Sequence, residues 1–160
     1  MNRPLRTTHV PDIRPNFKNE QVEKDWGDPR LNPIVKNMVQ WSVNWLYRST
    51  GYRATLTEIY REPRHPSDVH AYWRGVDMRA NDLPLDESLK IENTADQMWQ
   101  YDPKRPERKV CYLHNVTPNN SDNLHFHWQC HPNTVVRVTD ADLEQGEREF
   151  ESLTDEDMEV

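Results

Sequence analysis

The sequence predicts an α+β domain, a small and mostly antiparallel sheet packed against helices. Two observations carry this. Residues 34–50 repeat apolar side chains at the helical period, whereas 54–61, 109–116 and 124–130 are short runs rich in Thr, Ile, Val, Tyr and Phe, bounded by proline or Asn/Asp/Ser turns. A helical wall set against strands of this kind is the layering of an α+β fold. At 160 residues the chain has room for one domain.

The elements follow in order. Residues 1–30 hold four prolines, many charges and little apolar periodicity, and are expected to form an extended N-terminal arm that wraps the body or a neighbouring subunit. The first helix starts at Asn32-Pro33, a good N-cap followed by the residue best suited to the first helical position. Ile34, Met38, Trp41 and Trp45 then share one side, with Val35, Val39 and Leu46 beside them, until Gly51 stops the helix. The strand 54–61 leads into the proline-rich loop EPRHPS, and a second loop, NDLPLDES, precedes a helix over 92–100. Strands at 109–116 and 124–130 are joined by TPNNSDN, and a short strand, TVVRVT, closes the domain at 139.

Charge divides the chain. Residues 140–160 carry ten acids and one base, which leaves residues 1–139 close to +2 within a net charge of −7. Neither part offers broad attraction to nucleic acid, and so acidic a tail is expected to be solvated. Arm and tail are the places where a protein partner would dock. No run of eighteen apolar residues exists, which argues against a membrane span. The N-terminal residues contain no apolar signal-peptide core, so synthesis in a cytoplasm without an export signal is expected. Cys111 and Cys130 are too few for a disulfide framework. They fall on the expected core faces of their strands and read as buried thiols.

The chemistry concentrates in the histidines. His125 and His127 are two apart on a strand and therefore project from one face, while Leu124, Phe126, Trp128 and Cys130 point to the other. His114 shares a strand face with Tyr112. Upstream, PSDVHAYWRGVDMRA supplies His70 and Asp77. Two imidazoles and a carboxylate are the three-ligand set of a catalytic zinc ion, with a fourth position left for water.

These motifs resemble the M15-type D-Ala-D-Ala metallopeptidases, which group with the hedgehog-like and lysostaphin-like zinc folds and include many phage endolysins. The resemblance covers residues 34–130. Tyr60-Arg61 looks like the Tyr-Arg pair that ends a strand in that family, and Ser67, His70, Arg74 and Asp77 look like its S-x-H-x-x-G-R-A-x-D pattern. Departures are specific. Ser67 stands one residue too far upstream, Trp73 occupies the usual glycine position, and Gly75 the usual alanine.

The closing motif fits two registers. In one, His127 binds zinc and His125 assists, as in the H-F-H of a murein-endopeptidase branch. In the other, His125 binds zinc and Asp122 is the base of D-x-x-H-F. Three residues before His127 stands Leu124, which can do no acid–base work. The resemblance implies Zn2+ held by His70, Asp77 and His127, with His125, Asp122 and Arg61 as catalytic residues, Arg61 pairing with the substrate. It implies a zinc-dependent peptidase acting on peptidoglycan stem or cross-link peptides, of endolysin or carboxypeptidase type. The alternative is an inactive peptidase-like fold serving as a structural or binding module, for instance in a virion or a secretion assembly.

Overall fold

A computed structural model describes residues 11–114 and 123–137. The chain runs β1 (Asn16–Phe17), α1 (Glu20–Trp26), α2 (Pro33–Thr50), β2 (Thr55–Glu58), a 3-10 turn (Val69–Tyr72), β3 (Gly75–Arg79), α3 (Leu85–Met98), β4 (Trp99–Gln100), β5 (Cys111–His114), β6 (His125–Gln129) and β7 (Val135–Val136). Five strands form one mixed sheet in the order β1-β2-β3-β6-β5, and β4 pairs with β7 in a second, two-stranded sheet. β1 runs parallel to β2; every other pair is antiparallel. The α+β architecture expected from the sequence is present.

α2 forms where the sequence places it, and for the expected reasons. The Asn32 side chain accepts a hydrogen bond from Ile34 N at 2.8 Å, Pro33 takes the first turn, and Gly51 closes the helix at φ 76°, a left-handed conformation that favours glycine. Val35, Met38, Val39, Val43 and Leu46 are fully buried along one stripe. They pack against Leu56, Val76, Met78, Phe126 and Trp128 on one face of the sheet, all likewise without exposure. Each buried side chain of this size contributes roughly 1.5–3 kcal/mol. Trp41, only partly buried, seals the edge of the core, its ring centroid 5.7 Å from Trp99 and 6.4 Å from Trp128.

Several expectations need correction. The arm is not merely extended from residue 11 onward. Asn16–Phe17 pairs with β2, and Asn19 caps α1 by accepting from Val22 N at 3.0 Å. Val22 and Trp26, one helical turn apart, bury themselves against the body. The apolar pair and its cap are too brief a signal to stand out from the surrounding charges.

The helix expected over 92–100 begins earlier, at Leu85, and ends at Met98. Its first turn is acidic, with Asp86 and Glu87, which suits the positive end of a helix, and Ser88, Ile91 and Ala95 form the buried stripe. Trp99 and Gln100 leave the helix to pair with β7. β3 is a further strand that the sequence reading left inside a motif, although Gly-Val-Asp-Met-Arg alternates as a strand should. Residues 1–10, the 117–122 part of the TPNNSDN linker with Asp122, and the acidic tail lie outside the described residues. No described helix is long and apolar enough to cross a membrane.

Cys111 and Cys130 are free and buried, as expected. Burial pushes the Cys111 thiol well up and the Cys130 thiol to about 11. Thiolate is the reactive form. At pH 8 a disulfide-exchange reagent such as Ellman's should therefore titrate no thiol in the folded protein and two in denaturant. Rapid reaction of either thiol under native conditions would show that the core face of β5 or β6 opens readily.

Candidate metal centre

Alternation along β3 and β6 sorts the chemistry onto one face of the sheet. The register pairs Asp77 with His127 and Arg79 with His125, while β5 sets Tyr112 opposite His127 and His114 opposite His125. Glu58 of β2 pairs with Asp77 from the other side. The apolar partners Val76, Met78, Phe126 and Trp128 point into the core.

His70 reaches this face from the 3-10 turn. Asp68 caps the turn, accepting from His70 N at 3.2 Å, and is itself gripped by Arg61 through Nε at 3.0 Å and Nη2 at 3.2 Å and by Arg64 N at 3.1 Å. Burial alone would raise the Asp68 carboxyl, but these hydrogen bonds, Arg61 foremost, hold it down at about 2. The turn ends on Trp73 at φ 60°, the left-handed region that is costly for a bulky residue. This is the position where the M15-type pattern carries glycine. Packing offsets the strain: the Trp73 indole stacks on Tyr60 at 4.9 Å, and the Arg30 guanidinium covers it at 4.5 Å.

Gly75 is what lets the turn lie on the sheet. A Cβ there would come within 2.7 Å of Val69 Cγ2 and 3.2 Å of His70 N. The turn therefore sits flush against the start of β3, and His70 lands beside Asp77 with no exposure of its own.

Hydrogen bonds fix which nitrogen each imidazole turns inward. His70 Nδ1 donates to the Ile59 carbonyl at 2.8 Å, so Nε2 is the bare nitrogen. Gln129 donates its amide to the Lys109 carbonyl at 2.8 Å, which turns its Oε1 toward His127 Nε2 at 3.2 Å. His127 Nε2 therefore carries the proton and Nδ1 is bare. Both bare nitrogens face the same atom, Asp77 Oδ1, at 3.3 Å from His70 Nε2 and 2.9 Å from His127 Nδ1.

Three electron-pair donors thus converge in a nearly dry place, and His70 Nε2 is buried with no hydrogen-bond partner. Only a cation satisfies such a set, either protons on the imidazoles or a metal ion. Burial would lower the His70 imidazole, but the Asp77 carboxylate outweighs it and raises the group. Burial would likewise raise Asp77, yet His127 and His70 beside it hold its carboxyl well below the usual range. One ligand atom from each of His70, Asp77 and His127 lies within 4.8 Å of the others, so the cluster can hold a metal ion. Each histidine has its other N–H engaged by a carbonyl oxygen, the arrangement that orients imidazole ligands.

The remaining expected residues are placed as follows. His125 is next on the same face, its Nδ1 bonded to the Asn123 carbonyl at 2.8 Å and its ring 5.4 Å from that of His114. His114 is lowered by burial first, then by the charges of His127 and His125. Asp122 lies outside the described residues. Arg61 is not open to a ligand: its guanidinium is engaged by Asp68 and by Glu58. The sequence reading missed Asp68, Gln129 and Gly75 as supporting residues. Only the short D-x-H of Asp68 and His70, a capping pattern, would have pointed to the first.

Comparison with protein-family models, with curated proteins and with solved structures finds no match to this chain.

Two predictions concern the support. Gly75→Ala should displace the His70 turn and weaken metal affinity by about 10- to 100-fold, the usual worth of groups that orient ligands; competition with a chelating dye measures it, and unchanged affinity would show that the turn relaxes freely. Asp68→Ala should cost about 3 kcal/mol at pH 7, as removal of one partner of a buried ion pair does. Because the folded carboxyl titrates at about 2, below its unfolded value, its contribution is complete above about pH 4 and fades as pH falls toward 2. Denaturant melts of the two proteins should accordingly converge on acidification.

Proposed function

We propose that the protein is a zinc-dependent peptidase of the M15 type, with a hedgehog-like zinc fold, that cleaves peptidoglycan stem or cross-link peptides. The observation that carries this is the convergence of the bare nitrogens of His70 and His127 on Asp77, residues whose order and spacing resemble the family's zinc ligands. Two imidazoles and one carboxylate suit zinc better than magnesium or calcium, which prefer oxygen ligands throughout.

His70, Asp77 and His127 would hold the ion. Zinc in such a site acts as a Lewis acid on the scissile carbonyl and makes water acidic enough to attack at neutral pH. The chain's own residues do the rest. His125 keeps its proton at Nδ1 through the Asn123 carbonyl, so Nε2 is the atom that takes a proton from the attacking water and hands it to the leaving amine. Arg61 acts at one remove. It holds Asp68, which holds the backbone of His70, so it is a positioning residue.

A second reading keeps the fold and drops turnover, leaving a structural or binding module in a virion or secretion assembly. It draws on Leu124, which is apolar and buried three residues before His127, where much of the family carries an acidic base.

Purified protein should hold about one zinc per chain, and His70→Ala and Asp77→Ala should each abolish it. His127→Ala should lose metal and activity together. His125→Ala should keep zinc and lose about 100- to 10,000-fold in rate, the worth of a general acid–base group. Metal analysis and muropeptide digestion on one preparation test this. Zinc without turnover selects the module. Full zinc in both His70→Ala and Asp77→Ala removes the metal centre altogether.

A further inference from the structure

The histidines do not end with the cluster. Four of them cross the polar face of the sheet as a chain. Ring centroids are 5.2 Å apart for His70 and His127, 5.6 Å for His127 and His114, and 5.4 Å for His114 and His125. Zinc–nitrogen bonds are about 2.0–2.1 Å long, so two imidazoles on one tetrahedral ion have centroids about 5 Å apart. The far end of the chain thus has the spacing of the near end, where the metal centre lies.

His114 and His125 stand directly opposite each other in the β5–β6 ladder, so their side chains leave the sheet together from one face. Their rings are tilted by 40° rather than stacked, which leaves room for an ion between them. Both rings are held from outside the pair. His125 commits Nδ1 to the Asn123 carbonyl, and Nε2 is left as its donor atom. Tyr112 lies alongside His114, centroids 6.0 Å and planes 23° apart, and its own hydroxyl is fixed by accepting from Lys109 N at 2.9 Å. An ion can reach the pair. His114 is exposed, and His125 lines a groove of about 850 Å3 beside the cluster, together with Asp77. His127 belongs to the other end of the chain, since its Nδ1 faces Asp77 and its Nε2 faces Gln129. The pair therefore offers two imidazoles, with water to complete the coordination. With one ligand fewer and no carboxylate, it holds an ion less tightly than the cluster of His70, Asp77 and His127.

We propose that His114 and His125 form a second metal site, for a divalent ion that favours nitrogen ligands, such as zinc, copper or nickel, and that an ion there stops the reaction by occupying His125 Nε2. The site stands without the peptidase reading. Its effect on turnover rests on that reading, in which the same nitrogen takes the proton from water.

The test titrates metal-free protein with Zn2+ against a chelating dye at neutral pH. The parent should take up two zinc ions in succession, the second more weakly and lost on desalting. His114→Gln and His125→Gln should each take up only the tight ion, and Asp77→Ala only the weak one. Muropeptide digestion by the parent should peak with the first zinc and fall about 100-fold or more with the second, the least that loss of a general base costs. His114→Gln should reach the parent's maximal rate and hold it as zinc rises. A single zinc in the parent, or an unchanged second one in His114→Gln, would overturn the site. Two ions with a rate indifferent to the second would overturn the regulatory role. No turnover at any zinc level sinks the peptidase reading and the regulatory role with it, while the dye titration still decides the site.

Discussion

The β3–β6 pairing is the constraint on which everything else depends. Its register sets Asp77 opposite His127 on one face while Val76, Met78, Phe126 and Trp128 fill the other. Side chains alternate with a period of two, so a slip of one residue would bury the acid and the imidazole and expose the core. The hydrophobic effect, acting on the apolar face, thereby specifies the position of the polar one. No energy need come from the site itself, which is as well, because three converging electron pairs are unfavourable until a cation joins them.

The third member of the cluster, His70, arrives by another route. His70 belongs to a tight turn, not to the sheet, and its place depends on contacts made well away from the cluster. Asp68 ties the turn to Arg61, Gly75 removes the side chain that would hold it off β3, and the Ile59 carbonyl sets the ring. Trp73 accepts a left-handed backbone at the end of the turn because its indole lies between Tyr60 and Arg30. Strain at such a point persists only where the surroundings over-determine it, and here the Tyr60 ring and the Arg30 guanidinium do so. The left-handed backbone of Trp73 is thus compensated by packing.

The groove and the cluster share one electrostatic logic. Of the carboxylates in the groove beside the cluster, Glu58 is paired with Arg61, Asp77 faces two bare imidazole nitrogens and Asp82 accepts from the Tyr52 hydroxyl, while Lys18, Arg64 and Arg79 supply the cations. The groove lining is thus close to electrical balance even though the whole chain is acidic. Most of that acidity lies beyond residue 139, at a distance in sequence from the strands that build the site.

Much was determined by the sequence alone. The caps of α2 at Asn32-Pro33 and Gly51 act through bonds within a few residues, so they could be read directly. The two faces of β6 were legible because strand alternation is local, and the cluster His70, Asp77 and His127 could be named from spacing and resemblance. Tertiary structure decided what depends on residues distant in the chain. α1 is stable only because Val22 and Trp26 find a core to enter. Which nitrogen of His127 is bare follows from Gln129 and, through it, from the Lys109 carbonyl twenty residues away. Arg61 reads in the sequence as a substrate ligand, yet Glu58 and Asp68 occupy its guanidinium, since an arginine fork takes up carboxylates wherever the fold brings them within reach. Local sequence specifies which groups are available; the packing of distant segments specifies which of them remain free to act.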